Sequence, residues 1–262
     1  MTTAETPVST HASGSLVLMP NALDHGCDVQ TDITDLLPHA VIQRAAGITH
    51  WVVENAKPAR RFLKRVDAVV PLVCPLQAMQ IVALPTAQQA SAISMADWAT
   101  LLQPATLGHD VGLLSDAGMP ALADPGALLV AQAHRMNLRV QPLTGPSAIT
   151  LALVGSGLNG QSFSFVGYLP IKEVERGQAL RSLEAHSRQH RQTQIAIETP
   201  YRNQLLMTAL AATLSASTHV CVASGLTLPN AWLSTRTVAQ WRASMPTFAA
   251  NVPTVFLWLA AT

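Results

Sequence analysis

The sequence predicts an α/β protein, because apolar segments of strand length alternate with segments of helical pattern along most of the chain. Two strand–loop–helix units carry this prediction. In the first, the apolar run Val111–Leu114 precedes a loop of small residues and a helix over 127–136. In the second, a strand over 138–143 precedes a Gly/Pro turn and an apolar helix that runs through Val154. Open α/β sheets bind ligands at the carboxyl ends of their strands, so both loops are candidate ligand-binding loops.

The other elements are predicted from apolar periodicity and turn residues. Strands are expected over 16–19, 47–54, 162–166, 194–198, 218–224 and 254–259, and helices over 56–66, 95–102, 173–190 and 202–214. Residues 1–13 are expected to form a disordered leader, since they are polar and lack the apolar core of a signal peptide.

The composition predicts a homodimer. Only 12% of the 262 residues are charged and 49% are apolar, so the chain is expected to bury surface against a second copy. The segment 68–96 contains no Asp, Glu, Lys or Arg and is the expected interface. Three prolines interrupt this segment, so it is not expected to form a membrane helix.

Charge and cysteine content restrict the other partners. The net charge of +1 gives no global field that would collect nucleic acid. The three scattered cysteines have neither metal-ligand spacing nor an even number, which favours buried thiols in a cytoplasmic protein. The histidines form no metal motif, so no metal is expected.

Asp116 is the acid best placed for chemistry, because it lies just beyond the carboxyl end of the strand Val111–Leu114. Its carboxylate is predicted either to orient a substrate hydroxyl or to hold its loop; the alternative is that it accepts N–H groups of its own turn. Asp124 is predicted to cap the following helix, with Pro125 in the first helical position.

A basic stripe follows Glu54. Five of the sixteen Lys and Arg residues lie within nine positions, at the spacing of one helix face: Lys57, Arg60, Arg61, Lys64 and Arg65. Such a stripe can contact phosphates and give salt-dependent binding of RNA. The alternative is a solvated face, or a face that pairs with acids of a second subunit.

Five motifs in order resemble one family. They are Ser-Asp-Ala-Gly-x-Pro from Ser115, Asp-Pro-Gly from Asp124, Pro-Leu-x-Gly-Pro from Pro142, Ser-Gly-Leu from Ser156 and Gly-Tyr-Leu-Pro from Gly167. This order is similar to that of the tetrapyrrole methylase superfamily of S-adenosylmethionine-dependent methyltransferases, and within it to the branch of the small-subunit ribosomal RNA ribose 2′-O-methyltransferases. The segment 197–202, Ile-Glu-Thr-Pro-Tyr-Arg, extends the resemblance.

The resemblance implies two α/β domains, over 1–143 and 144–262, with the cofactor cleft between them. It implies S-adenosylmethionine as cofactor. Asp116 and Glu54 are predicted as catalytic residues, and the cations of the stripe predicted to bind substrate are Lys57, Arg60, Arg61 and Lys64. The implied cofactor-binding residues are Pro20, Ser115, Asp116, Ala117, Gly118, Leu122, Ala123, Ser147, Ala148, Glu198, Thr199, Tyr201, Leu226, Pro253 and Thr254.

The chain departs from the ribosomal RNA branch at three loops. Where that branch has Glu-Asp-Thr-Arg, this chain has Glu54-Asn55-Ala56-Lys57, so an amide replaces the second acid. Gly225 stands where an acid is expected, and only Pro20 of the first loop matches. Three functions therefore remain open: a methyltransferase for ribosomal RNA, a methyltransferase for a tetrapyrrole or other small molecule, and a non-catalytic regulator that binds the cofactor.

Overall fold

The computed structural model describes residues 13–85 and 94–261. Most of the predicted leader and residues 86–93 of the predicted dimer segment lie outside the described residues. The chain divides into two compact units. The first contains the chain up to Asn21 and Ile33–Gly145, and the second contains Ala22–Asp32 and the chain from Pro146 onward. The sequence did not predict that the short segment Ala22–Asp32 belongs to the second unit.

The strands and helices follow in chain order. The strands are β1 Ser15–Met19, β2 His50–Val53, β3 Gln80–Ala83, β4 Val111–Leu114, β5 Arg139–Pro142, β6 Phe163–Tyr168, β7 Thr193–Glu198, β8 His219–Ser224, β9 Trp232–Thr237 and β10 Thr254–Leu259. The described helices are α1 Ile33–Leu36, α2 His39–Ala46, α3 Ala56–Asp67, α4 Met95–Leu101, α5 Gln103–Thr106, α6 Gly126–Arg135, α7 Ala148–Ser156, α8 Glu173–His190, α9 Asn203–Thr213 and α10 Val238–Ala243.

The first unit is built on a parallel sheet with strand order β3-β2-β4-β1-β5. Both faces of its central strands are buried, which explains why β1 and β4 are almost continuous apolar runs. Successive residues of β1 serve opposite faces: Val17 and Met19 pack with α2 and α3, whereas Leu16 and Leu18 pack with α4 and α6. Helices on both faces are the arrangement that places ligands at the carboxyl edge of the sheet.

Helix α3 shows how the sequence pattern positions the charged stripe. Ala59, Phe62, Leu63 and Val66 are buried on one face of the helix. This spacing turns the intervening Lys and Arg residues outward. The helix therefore presents a basic face on the first unit.

The second unit contains a mixed sheet with strand order β6-β7-β10-β8-β9. Strands β6 and β7 are parallel, whereas β10 runs antiparallel to both β7 and β8. Thr254 at the start of β10 consequently lies beside Glu198 and Ser224, the last residues of β7 and β8. One edge of this sheet thus collects three polar side chains.

The predicted α/β class is confirmed, and most predicted elements are present within a few residues of their expected bounds. β4, α8 and β10 have the predicted bounds. The second strand is shorter than predicted, because residue 47 ends α2 and the strand begins at His50. The elements α1, α2, α5, β3, β9 and α10 were not predicted.

Among the described residues, none of the helices combines the length and the apolar character that crossing a membrane requires. The prediction of buried thiols holds for Cys221, and burial raises the pKa of that thiol. It is wrong for Cys27 and Cys74, which are half-buried.

Candidate active site

Three loops of the first unit meet at the carboxyl edge of the parallel sheet. Strand β4 lies between β2 and β1, and all three end at this edge. Asn21 follows β1, the pair Glu54-Asn55 follows β2, and Asp116 follows β4. The side chains of all three loops are therefore brought within reach of one another.

Asn21 ties the loop after β1 to the loop after β4. Its buried side-chain Nδ2 donates to the carbonyl oxygens of Ser115, at 3.0 Å, and of Asp116, at 3.1 Å. Its backbone also exchanges hydrogen bonds with Gly118, N–H to O at 2.9 Å in one direction and 3.2 Å in the other. The backbone of the motif that begins at Ser115 is thus fixed from one side.

Glu54 and Asn55 hold Asp116 from the other side. The N–H of Asp116 donates to Glu54 Oε2 at 3.0 Å, and the N–H of Glu54 donates to the carbonyl of Leu114 at 3.0 Å. The Nδ2 of Asn55 donates to Asp116 Oδ2 at 2.7 Å. A partner of the Asp116 carboxylate therefore comes from another strand's loop. The two residues predicted as catalytic are joined directly, with Glu54 holding the backbone of Asp116.

Asp124 stabilises the turn that follows. Its carboxylate accepts the hydroxyl of Ser115 and the N–H groups of Ala121, at 3.1 Å, and Gly126, at 2.7 Å. The prediction that Asp124 is the N-cap and Pro125 the first helical residue is wrong: Pro125 is the N-cap and α6 begins at Gly126. The carboxylate nevertheless bonds the first N–H of the helix, which is the role expected of a capping acid.

The tip of the loop is open. Gly118 has a positive φ of 67°, a conformation that glycine adopts readily. Ala117 is exposed, and its N–H has no hydrogen-bond partner within the described part of the chain. Leu122 is 42% exposed and Ala123 is exposed as well. Within the described residues, the predicted cofactor loop thus presents small groups and unused backbone donors, the N–H of Ala117 among them.

The basic stripe begins two residues after Asn55. Lys57, Arg60, Arg61 and Lys64 are exposed on α3, and Arg65 is half-buried. No carboxylate within the described ranges forms an ion pair with the four exposed cations. Because α3 begins beside Asn55, a polyanion bound along this helix would reach the edge of the sheet that carries Asp116.

In the second unit, the predicted cofactor residues lie around the start of β10. The buried Glu198 accepts the N–H of Thr199 at 2.8 Å and pairs with Arg202 at 3.0 Å. Tyr201 is 81% exposed. The hydroxyl of Thr254 donates to Ser224, at 2.9 Å, and accepts from Asn203, at 3.1 Å.

Several buried polar atoms of the second unit have no partner among the described residues. They include the hydroxyls of Ser147 and Thr227 and the side-chain oxygen of Asn203. Gly225 has a positive φ of 64° and donates its N–H to the carbonyl of Pro253 at 2.9 Å. Leu226 and Ala148 are half-buried beside these groups in the sequence. Buried polar groups are normally hydrogen-bonded, so these hydroxyls are available to bond water or a polar ligand.

The carboxyl edge of this parallel sheet carries a loop of small residues and an acid, held by hydrogen bonds from neighbouring loops. This is the place at which α/β proteins bind small ligands. The comparison with family models identifies the family: the model of the tetrapyrrole (corrin/porphyrin) methylases matches residues 52–240, and the chain belongs to this family. The resemblance seen in the five motifs is thereby confirmed.

Curated relatives include ribosomal RNA small subunit methyltransferase I of Micromonospora olivasterospora, which is 44% identical over 107 residues. The same-named protein of Escherichia coli O157:H7 is 38% identical over 128 residues. These segments cover 41% and 49% of this chain. They cover 33% and 43% of the relatives, so this chain matches less than half the length of each.

Solved structures of similar fold share little sequence with this chain. A structure of diphthine synthase has a TM-score of 0.56 at 14% identity and covers 95% of this chain and 91% of its own. The methyltransferase CobJ has a TM-score of 0.55 at 16% identity, covering 87% and 89%. Uroporphyrin-III C-methyltransferase from Thermus thermophilus, complexed with S-adenosylhomocysteine, has a TM-score of 0.53 at 14% identity, covering 94% and 97%. These likenesses show the fold.

Proposed function

We propose that the chain is an S-adenosylmethionine-dependent methyltransferase that methylates a ribose hydroxyl of small-subunit ribosomal RNA. The observation that carries the RNA substrate is the position of the stripe: four exposed cations begin two residues after Asn55, which bonds Asp116. Along α3, Lys57 and Lys64 are about 10 Å apart, enough to meet more than one phosphate. The relatives named as ribosomal RNA methyltransferases support the same substrate.

The residues present fit this cofactor. Its amine, carboxylate, ribose and adenine need several hydrogen-bond partners, and both units offer unused groups for them. In the first unit we assign Pro20 and the loop of Ser115, Asp116, Ala117, Gly118, Leu122 and Ala123. In the second we assign Ser147, Ala148, Glu198, Thr199, Tyr201, Leu226, Pro253 and Thr254. The unpaired hydroxyl of Ser147 and the unpaired N–H of Ala117 support this assignment.

Bound S-adenosylmethionine supplies a methyl group that its sulfonium already activates. The protein's part is then to hold the nucleophile in line and to receive the proton. Asp116 would take up the proton of the ribose hydroxyl, whose oxygen would accept the methyl group that the bound cofactor supplies. Glu54 keeps the backbone of Asp116 in place. Cations of α3 hold the phosphates beside the reacting ribose.

The cofactor assignment predicts that Ala117→Phe weakens binding of S-adenosylhomocysteine at least about tenfold, or 1.4 kcal/mol. The new ring occupies the space above the open loop, while Ala117 is exposed and its replacement disturbs no core. Calorimetry in the presence of a chelator measures the effect, and binding by the unaltered protein is expected to persist there. Ala40→Phe, at an exposed alanine of the same unit outside the proposed dimer segment, is the matched control. Equal affinities of the two variants would exclude the loop from the cofactor site.

The stripe predicts a salt-dependent affinity for unmodified small-subunit ribosomal RNA. Replacing Arg60, Arg61 and Lys64 with Gln should reduce the slope of log affinity against log salt by about 2, because each phosphate contact on a single strand contributes about 0.7. S-adenosylhomocysteine binding should not change. Filter binding between about 50 and 200 mM salt measures this slope.

The control for the stripe is a variant with Arg135 and Arg139 replaced by Gln, since both are exposed cations of the same unit outside α3. That variant should keep the full slope. An unaltered slope in the stripe variant would favour a small molecule, such as a tetrapyrrole, as the methyl acceptor. S-adenosylhomocysteine binding without methyl transfer to RNA or tetrapyrroles would favour a regulator.

We also propose that the protein is a cytoplasmic homodimer whose two domains divide near residues 143–145, with the segment Ala22–Asp32 belonging to the second unit. The described part of the segment 68–96 supports the dimer, because β3 is an edge strand and exposes Val82 by 48%, and Val73 nearby in sequence is 62% exposed. Exposed apolar edge strands pair readily with another chain.

Light scattering at micromolar concentration should therefore report twice the chain mass. Val82→Lys should shift the protein toward monomer, because lysine on an edge strand opposes pairing. Val154→Lys replaces a valine that is 78% exposed in the second unit and should leave the dimer intact. A monomeric unaltered protein would refute the proposed dimer.

A further inference from the structure

We propose that Asn55 is a positioning residue for methyl transfer, whose side-chain amide fixes the direction of the Asp116 carboxylate. The inference rests on the proposed function, in which Asp116 receives the proton of the substrate hydroxyl. The sequence alone showed Asn55 only as a departure from the ribosomal RNA branch. Its contact in the structure gives that departure a chemical role.

The hydrogen bond has a fixed direction. An amide nitrogen only donates, so the Oδ2 of Asp116 must accept at the observed 2.7 Å. This length is typical of bonds in which one partner is charged. A hydrogen bond to the ionised form favours that form over the protonated one. The backbone N–H of Asp116 is held at the same time by Glu54 at 3.0 Å, so adjacent residues fix both the main chain and the side chain of Asp116.

The position of Asn55 at the start of α3 gives a second, independent observation. It is the N-cap residue of this helix, with extended φ and ψ of −137° and 133°. Asparagine is a favoured N-cap because its side-chain oxygen accepts an N–H of the first turn. Here the side chain forms no capping hydrogen bond. The side-chain amide of Asn55 therefore bonds Asp116 and does not form the N-cap hydrogen bond to the first turn of α3.

The chemistry explains why an amide is suited to this place. An aspartate at position 55 would put a second carboxylate at hydrogen-bond distance from Asp116. Two carboxylates at such a distance do not both ionise readily, and they share a proton over part of the pH range. When the shared proton lies on Asp116, that carboxyl group cannot receive the proton of the substrate hydroxyl. An amide at position 55 does not compete with Asp116 for a proton.

The test compares the unaltered protein with Asn55→Asp and Asn55→Ala. Asp is as good an N-cap as Asn, so helix α3 should still begin normally in the first variant. The ¹³C shift of the Asp116 carboxyl group is followed against pH by NMR, together with the pH profile of kcat on small ribosomal subunits. Thermal midpoints and S-adenosylhomocysteine affinities of the variants show that they are folded.

In Asn55→Asp, the NMR midpoint and the acidic limb of the kcat profile should both move upward by about one to two pH units. On that limb the rate falls about tenfold for each unit of displacement. Asn55→Ala should give a smaller shift in the same direction, because it removes the donor without adding a charge. An NMR midpoint for Asn55→Asp equal to that of the unaltered protein would overturn the proposal.

The exchanged double variant, Asn55→Asp with Asp116→Asn, separates positioning from structural support. It restores an amide–carboxylate hydrogen bond with the two groups interchanged, so the thermal midpoint should recover. The rate should stay at least about a hundredfold below that of the unaltered protein, because the carboxylate then lies on the wrong loop. Recovery of both stability and rate would show that Asn55 only supports the loop. Absence of methyl transfer by the unaltered protein would instead refute the proposed function, and the NMR midpoints would still decide whether Asn55 holds Asp116.

Discussion

Asp116→Asn should lower the rate of methyl transfer to the RNA hydroxyl by about 10²- to 10⁴-fold, the usual contribution of a positioned general base. The new amide has nearly the same size, and its oxygen can still accept the Nδ2 of Asn55. It cannot take up a proton near neutral pH. The fold and the affinity for S-adenosylhomocysteine should therefore persist while the reaction slows. Single-turnover transfer of a radiolabelled methyl group measures the rate.

Asp67→Asn is the matched control for this variant. Asp67 is exposed at the last residue of α3, so the change removes the same charge from the same unit at a distance in sequence from the loop. Its rate should equal that of the unaltered protein. If Asp116→Asn also retained its rate within about threefold, Asp116 would not be the group that receives the proton.

Gly145→Ala should lower the thermal midpoint by about 3–10 °C. A Cβ at this position would lie 2.2 Å from Cβ and 2.5 Å from Cγ of Pro20. These are atoms of a rigid ring, and Pro20 is buried, so the loops after β1 and β5 must separate. Overpacking of this kind costs about 1–3 kcal/mol, and for a chain of this size each kcal/mol corresponds to about 2–4 °C. Differential scanning fluorimetry measures the midpoint.

The same change should weaken S-adenosylhomocysteine binding, because a displaced Pro20 carries with it Asn21, which bonds the backbone of Ser115 and Asp116. Gly47→Ala is the control: the nearest atoms to a Cβ there are backbone oxygens at 3.7 and 3.9 Å. The φ of Gly47 is −87°, which alanine adopts without strain. Similar midpoints for the two variants would show that the approach of Pro20 to Gly145 can relax.

The sequence predicted the elements whose own residues form a clear apolar pattern. β4 is buried along its whole length and reads as a continuous apolar run, so its bounds were found. β3 and β9 were missed, and both are edge strands. β3 is mostly exposed, and β9 carries Ser234, Thr235 and Arg236, so neither has a strong apolar pattern. Their strand conformation depends on pairing with β2 and β8, which a local pattern does not encode.

The site was predictable in its location but not in its internal bonds. Asp116 follows a buried strand, and that placed it at the edge of the sheet. Its partners Asn55 and Asn21 are 61 and 95 residues away in the chain. The strand order β2-β4-β1 brings their loops together, and that order was not derivable from periodicity. The available signal was that Asn55 directly follows one predicted strand and that Asn21 follows another after a single intervening residue.

The segment Ala22–Asp32 has a consequence for the synthesis of the chain. Thr31 donates its hydroxyl to the carbonyl of Thr227 at 2.6 Å, a partner that is 196 residues later. At about 5–20 residues per second, the segment leaves the ribosome about 10–40 s before that partner is made. The second unit therefore closes only after Thr227 has been synthesised. A cut near residue 145 would separate the second unit from the segment Ala22–Asp32, which is part of its structure. The two units therefore do not correspond to two continuous stretches of the chain.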